Sequence, residues 1–240
     1  MKKNNVLELP KPSSALSIKG MAGEIEELKK ENRRISEQAA RAILKALDAK
    51  DSYTFGHSMR VGYFSLVTGA EAGLSPEEMH DLELAAIFHD IGKIGTPDAV
   101  LNKPSRLSED EFHIMKLHPE TSCQILKEFP GFERIAEITR YHHERYDGKG
   151  YPHALKAEAI PLLARIVLIA DTFDAMTSTR PYRKGLDYNV AFEELVQFSG
   201  TQFDPQLVKF FIDGMKKEAL KGEDEFFIPL MDMRFTKNAA

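Results

Sequence analysis

From Met21 onward the apolar positions recur at alternating steps of four and three: Met21, Ile25, Leu28, Asn32, Ile35, Ala39, Ala42 and Ala46. This is a heptad seam with one polar residue, and a single Asn in such a seam often fixes parallel pairing. Two readings stand side by side: a dimerising coiled coil, or an amphipathic helix laid on its own domain, since the seam weakens to alanine after Ile35. Residues 1–19, by contrast, mix Pro, Ser, Lys and Asn without period and read as a flexible leader. The helical extension is assigned to residues 20–48.

Downstream, the signals are helix starts. Ser75-Pro76-Glu77-Glu78 combines an N-cap, a proline at the first helical position and a glutamate at the third, so a helix begins there and runs to about Phe88. Ser108 and Glu111 form a second capping box, and Pro119 marks a helix boundary beside His118. Residues 166–175 and 188–198 are helical by periodicity. Val167-Leu168-Ile169 has strand propensity, but no alternating partner strands follow, so the fold class is all-α.

At 240 residues with 42% hydrophobic, the chain can build one sizeable domain with an extension. A formal charge of −5 speaks against extended DNA or RNA as a partner, and a small anionic ligand needs a locally basic pocket such as Lys93, Arg145, Arg180, Arg183 and Lys184 could provide. The one cysteine, Cys123, excludes an intrachain disulfide and is expected to lie buried in its helix. No segment approaches eighteen apolar residues, so a soluble, cytoplasmic protein without a membrane segment is expected.

The chemistry lies in scattered fragments: His57, His89-Asp90, His118, His142-His143 and Asp171. Five imidazoles and two carboxylates without thiolate suit iron, manganese or zinc. A lone His-Asp pair is more often a capping Asp beside a core His. Here His89-Asp90 ends an apolar helix, and Gly92 can release the chain and bring backbone close to a ligand.

Two of these fragments sit in HDIGKIG (residues 89–95) and HHERYDGKGYP (142–152), and RPYRK (180–184) follows in that order. The chain thereby resembles the HD-GYP family over roughly residues 49–212, which is taken as the catalytic domain, with residues 213–240 as a C-terminal extension. The resemblance implies an HD-domain helical bundle and a phosphodiesterase that opens cyclic di-GMP to pGpG, with further cleavage to GMP left open. It also implies two divalent metal ions, iron or manganese, sharing an activated hydroxide. His57, His89, Asp90 and Asp171 would hold one, and His118, His142 and His143 the other, with Asp90 bridging. Lys93 would bind a phosphate oxygen or assist the leaving oxygen. Tyr151 would stack on a guanine or reach a phosphate, and Arg180 and Arg183 would grip phosphate oxygens.

Members with three metals carry a glutamate where this chain has Tyr53, so two ions are expected. Glu144 and Asp147 are expected to orient histidines or the loop. Ser105, Ser122, Ala154 and Ala157 stand where relatives usually carry glycine, and an alanine forced to positive φ would cost stability. His80, His113 and His153 fall outside the pattern and are expected to face solvent. The Gly200–Pro205 turn also matches the family and reads as structural, and the tail at Phe226–Met231 is expected to pack on the domain. Three alternatives remain: a hydrolase of cyclic GMP-AMP, a cyclic di-GMP-binding module with little turnover, and a mononucleotide phosphohydrolase. The last would lack Gly150-Tyr151-Pro152. Regulation would come through a homodimer of the N-terminal helix or a regulatory protein partner.

Overall fold

The computed structural model describes residues 18–50, 54–179 and 184–221. Tyr53, Arg180, Arg183 and the Phe226–Met231 tail lie outside the described residues. The helices are α1 (Ile18–Lys50), α2 (Thr54–Glu71), α3 (Pro76–Phe88), α4 (Asp98–Leu101), α5 (Glu109–Met115), α6 (His118–Lys127), α7 (Glu133–Tyr141), α8 (Leu162–Thr177), α9 (Tyr188–Gln197) and α10 (Pro205–Lys221). Short 3-10 turns occupy Ile91–Gly95 and Ala157–Ala159. Among the described residues there is no strand, only a bridge between Ser199 and Phe203. The all-α expectation is met, and Val167-Leu168-Ile169 falls inside α8. α10 runs on continuously through residue 212.

Helix α2 packs against α3, α8 and α10, while α7 lies on α3, α6 and α8. Phe64, Phe173 and Phe211 meet edge to face at the centre of one half, with ring centroids 4.8 to 6.2 Å apart. Phe88 stacks on Phe132 in the other. Each fully buried ring of this kind stabilises by roughly 1.5–3 kcal/mol relative to exposure. Helix α3 starts at Ser75 through the expected capping box, with Ser75 Oγ accepting from the Glu78 N–H and the Glu78 carboxylate accepting from the Ser75 N–H. It ends at Phe88, so His89 falls at its C-cap with a buried ring.

The lower half of α1 docks on the domain. Ser36, Ala40 and Leu44 are buried, Arg33 donates to the buried Asp81 at 2.6 Å, and Glu37 pairs with His80 at 3.0 Å. His80 is therefore a half-buried partner of α1 instead of the solvent-facing residue expected, whereas His113 and His153 are exposed. Cys123 is buried in α6.

Candidate metal centre

Five imidazoles converge because their helices end or begin at one place. His57 sits in the first turns of α2, His118 opens α6, and His89 and His142 follow the last residues of α3 and α7. At His89, His118 and His142 the Nδ1 atom lies 2.6 to 2.8 Å from the carbonyl oxygen three residues earlier, on Ala86, Met115 and Thr139. A carbonyl only accepts, so Nδ1 carries the proton and the neutral ring keeps its lone pair on Nε2. His57 is set the same way by the Asp174 carboxylate, 2.7 Å from its Nδ1.

The freed Nε2 atoms face Asp90. His118 Nε2 is 3.2 Å from Asp90 Oδ1, His89 Nε2 is 3.3 Å from Oδ2, and His57 Nε2 is 3.8 Å from Oδ2 and 3.3 Å from Asp171 Oδ1. Two sets emerge whose ligand atoms lie within 4.8 Å of one another: Asp90 with His118, His142 and His143, and Asp90 with His57 and His89. Asp90 belongs to both, and Asp171 stands beside His57 of the second set. His89 Nε2 and Asp90 Oδ1 are buried and have no hydrogen-bond partner. Leaving such atoms unmatched costs about 1–3 kcal/mol each, and a cation between them removes that cost. Nitrogen and carboxylate donors with prearranged lone pairs fit divalent cations.

The charges agree with this. Burial opposes ionisation of Asp90, but the Lys93 ammonium and the His89 and His118 rings hold its carboxyl well below the usual range. Asp171 is lowered likewise, chiefly by His57, against the effect of its burial. Burial disfavours charge on His57 too, yet its hydrogen bonds to Asp171 and Asp174 lift its pKa to about 9, so a cation bound at its Nε2 would take the place of a proton there. His143 is pushed down to about 3 by burial and by His118, and His142 also falls well below its usual value. One end of the site thus carries the carboxylates and the other the neutral rings.

Several supports escaped the sequence reading. Arg60 Nε donates to Asp174 at 2.5 Å, and Ser178 Oγ lies 3.1 Å from the same carboxylate. The missed signal is a matched spacing: Arg60 follows His57 by three residues on α2, and Asp174 follows Asp171 by three on α8, so each pair shares a helix face. Ser122 is the second. Its hydroxyl accepts from the Gly92 N–H and donates to the His89 carbonyl, both at 2.9 Å. A Cβ on Gly92 would meet the His118 carbonyl oxygen at 2.1 Å, so only glycine lets the turn after Asp90 reach α6.

Glu144 is buried and accepts from the backbone N–H of His153 at 2.6 Å and of Leu155 at 3.1 Å, so it secures the loop. Asp147 pairs with Arg145 and accepts from the Lys149 N–H, again holding loop and not ring. The Gly200–Pro205 turn braces the same loop, through the Tyr146 and Asp147 N–H groups donating to Gln202 and Thr201. Ala154 and Ala157 both take positive φ, at 55° and 52°. Tyr151 lies with one ring face on His143, the centroids 4.8 Å apart at 27°. Lys93 Nζ reaches Asp90 Oδ2 at 2.5 Å.

The HD domain family model matches residues 21–207. Curated relatives named as cyclic di-GMP phosphodiesterases match over 68 to 88% of this chain. The chain belongs to the HD-GYP family. The response regulator RpfG of Xanthomonas campestris, named a cyclic di-GMP phosphodiesterase, is 37% identical over 88% of this chain and 57% of its own length. A cyclic di-GMP phosphodiesterase of Thermotoga maritima is 42% identical over 68% of this chain and 45% of its own. This chain therefore spans about half the length of these relatives. The crystal structure of V-cGAP3 from V. cholerae, titled a cyclic GMP-AMP phosphodiesterase, superposes with TM-score 0.52 at 26% identity, covering 70% of this chain and 46% of that one. Bd1817 of Bdellovibrio bacteriovorus shares the fold, with TM-score 0.58 at 20% identity over 82% and 64% of the two chains. No helix among the described residues is long and apolar enough to cross a membrane.

Proposed function

We propose that this HD-GYP protein is a cytoplasmic phosphodiesterase that hydrolyses cyclic di-GMP to pGpG, with GMP as a further product, using a binuclear centre of iron or manganese. The observation that carries this reading is the convergence of five imidazoles on Asp90 with four Nε2 lone pairs directed inward by their Nδ1 partners. His57, His89, Asp90 and Asp171 would hold one ion, and Asp90, His118, His142 and His143 the other. Bound there, the two cations supply an acidified water as nucleophile and stabilise the charge that develops on the phosphoryl oxygens.

The chain's own residues do the rest. Lys93, beside Asp90, places an ammonium where a phosphate oxygen gains from it, and Glu144 fixes the loop that carries Tyr151 over His143. With one face of Tyr151 on His143, its stacking on a guanine uses the other face. Arg180 and Arg183 are assigned to the substrate phosphates on the strength of the RPYRK motif alone.

A second reading is favoured by relatives from V. cholerae, 36% and 39% identical, that are named 3'3'-cGAMP-specific phosphodiesterases. The deciding experiment measures metal per chain on anaerobically purified protein and, in the same sample, chromatographic turnover of cyclic di-GMP and 3'3'-cGAMP in parallel. About two ions with pGpG or GMP as product support the proposal. Turnover of 3'3'-cGAMP alone selects the second reading, and two ions with neither product turns the chain into a binding module.

A further inference from the structure

Helix α1 is longer than its footprint on the domain. Arg33, Ser36, Glu37, Ala40 and Leu44 make the docked side, whereas Met21, Ile25, Leu28 and Ile35 are 50 to 58% exposed. With Met21 at d, the docked residues fall at heptad positions b, e and f, and the apolar seam falls at a and d. The domain therefore holds one side of α1 and turns the seam away from itself. A row of large apolar residues left in water on a helix half that gains nothing from tertiary packing calls for a cover.

Position by position, the seam describes that cover. Ile25 at a and Leu28 at d favour two strands, and Asn32, a lone polar residue at a, specifies parallel register because its amide is satisfied by the same amide opposite. The flanks select the orientation independently. Glu24 is at g and Lys29 at the following e, and both are exposed. In a parallel pair each g residue faces the next e residue of the other helix, which sets Glu24 against the partner's Lys29 on both sides of the seam. An antiparallel pair would instead bring g against g and align Glu24 with Glu31 in one acidic row. We propose that a second copy of this chain covers the seam, as a parallel, in-register two-stranded coiled coil along α1.

Sedimentation equilibrium of the full chain should give twice the chain mass. Ile25→Glu with Leu28→Glu should make it monomeric while leaving metal content unchanged, because both side chains point away from the domain. Glu24→Lys or Lys29→Glu alone should weaken the dimer about tenfold, and the two together on one chain should restore it. Asn32→Cys should link the copies by a disulfide under mild oxidation, with Cys123 buried and therefore silent. A chain that stays monomeric at every concentration, so that another segment or a different protein covers the seam, overturns the proposal. So does a dimer indifferent to the Ile25 and Leu28 changes, and failure of Asn32→Cys to cross-link a dimer overturns the parallel register.

Discussion

At the scale of single residues the site is a set of tautomers, and the groups that set them are as informative as the ligands. Asp174 is the clearest case. Its carboxylate accepts from His57 Nδ1 and is gripped by Arg60, so it aligns one ring without facing the other ions' ligands. Asp174→Asn should lower affinity for the ion at His57 and His89 by about 10–100-fold and leave the set at His118, His142 and His143 occupied. Competitive metal titration checks this, and equal loss at both sets would count against the assignment. Ala154 and Ala157 offer a test of opposite sign. A non-glycine residue held in the left-handed region costs about 1–2 kcal/mol, partly offset by the extra chain entropy that glycine loses on folding. Ala154→Gly and Ala157→Gly should each raise stability by about 0.5–1 kcal/mol, read in urea unfolding, and a loss would refute the strain. The candidate ligands His89, Asp90, His142 and His143 were legible because they lie in motifs, and His57, His118 and Asp171 only through the family resemblance. Arg60, Asp174 and Ser122 were not, since their partners lie 30 to 117 residues away in sequence and only the packing of α2 on α8 and of the Ile91–Gly95 turn on α6 brings them together.

At the scale of elements, the caps were legible and so were the extents of α3 and α9, whereas the length of α8 was not. Helices α3 and α5 start where Ser75 and Ser108 predict, because the capping residue and its glutamate partner are three residues apart and need no tertiary help. Helix α8 extends beyond the periodic stretch at both ends, from Leu162 to Thr177, where Pro161 precedes it and Ser178 closes it on Asp174. The seam of α1 was equally legible, but which side of that helix the domain would hold was not, since it rests on Arg33 meeting Asp81 48 residues later. The caps carry a pH prediction. Glu78 is lowered chiefly by accepting from the Ser75 N–H, and Glu111 by Lys103 and then the Ser108 N–H. A carboxylate lowered in the folded state adds stability that is complete above its unfolded pKa and is lost as pH falls through the folded value. Glu78→Gln and Glu111→Gln should therefore destabilise at neutral pH, with the gap to the parent chain closing in acid. A gap independent of pH would show that the carboxylate charge contributes nothing.

At the scale of the molecule, ions at the centre would cross-link helices that are otherwise joined by apolar packing and a few polar pairs such as Arg60–Asp174 and Arg140–Glu120. Its candidate ligands come from the start of α2, the end of α3, the start of α6 and the end of α7, with Asp171 from the middle of α8 beside His57. Without ions those helices confine carboxylates and imidazoles with unmatched buried atoms at Asp90 and His89, a cost the core has to offset. Ions that bind the folded chain and not the unfolded one stabilise it by mass action, about 2.7 kcal/mol per site at a hundredfold excess over Kd. For a domain of this size that corresponds to a rise in Tm of roughly 5–10 °C per site. Differential scanning calorimetry of metal-loaded and chelator-treated protein should show that rise. In Asp90→Ala, which removes the residue shared by both sets, loaded and chelated samples should melt together. If chelation empties the sites and leaves the midpoint of the parent chain unmoved, the helices hold the ligand cluster unaided, and the centre contributes chemistry without contributing to the fold.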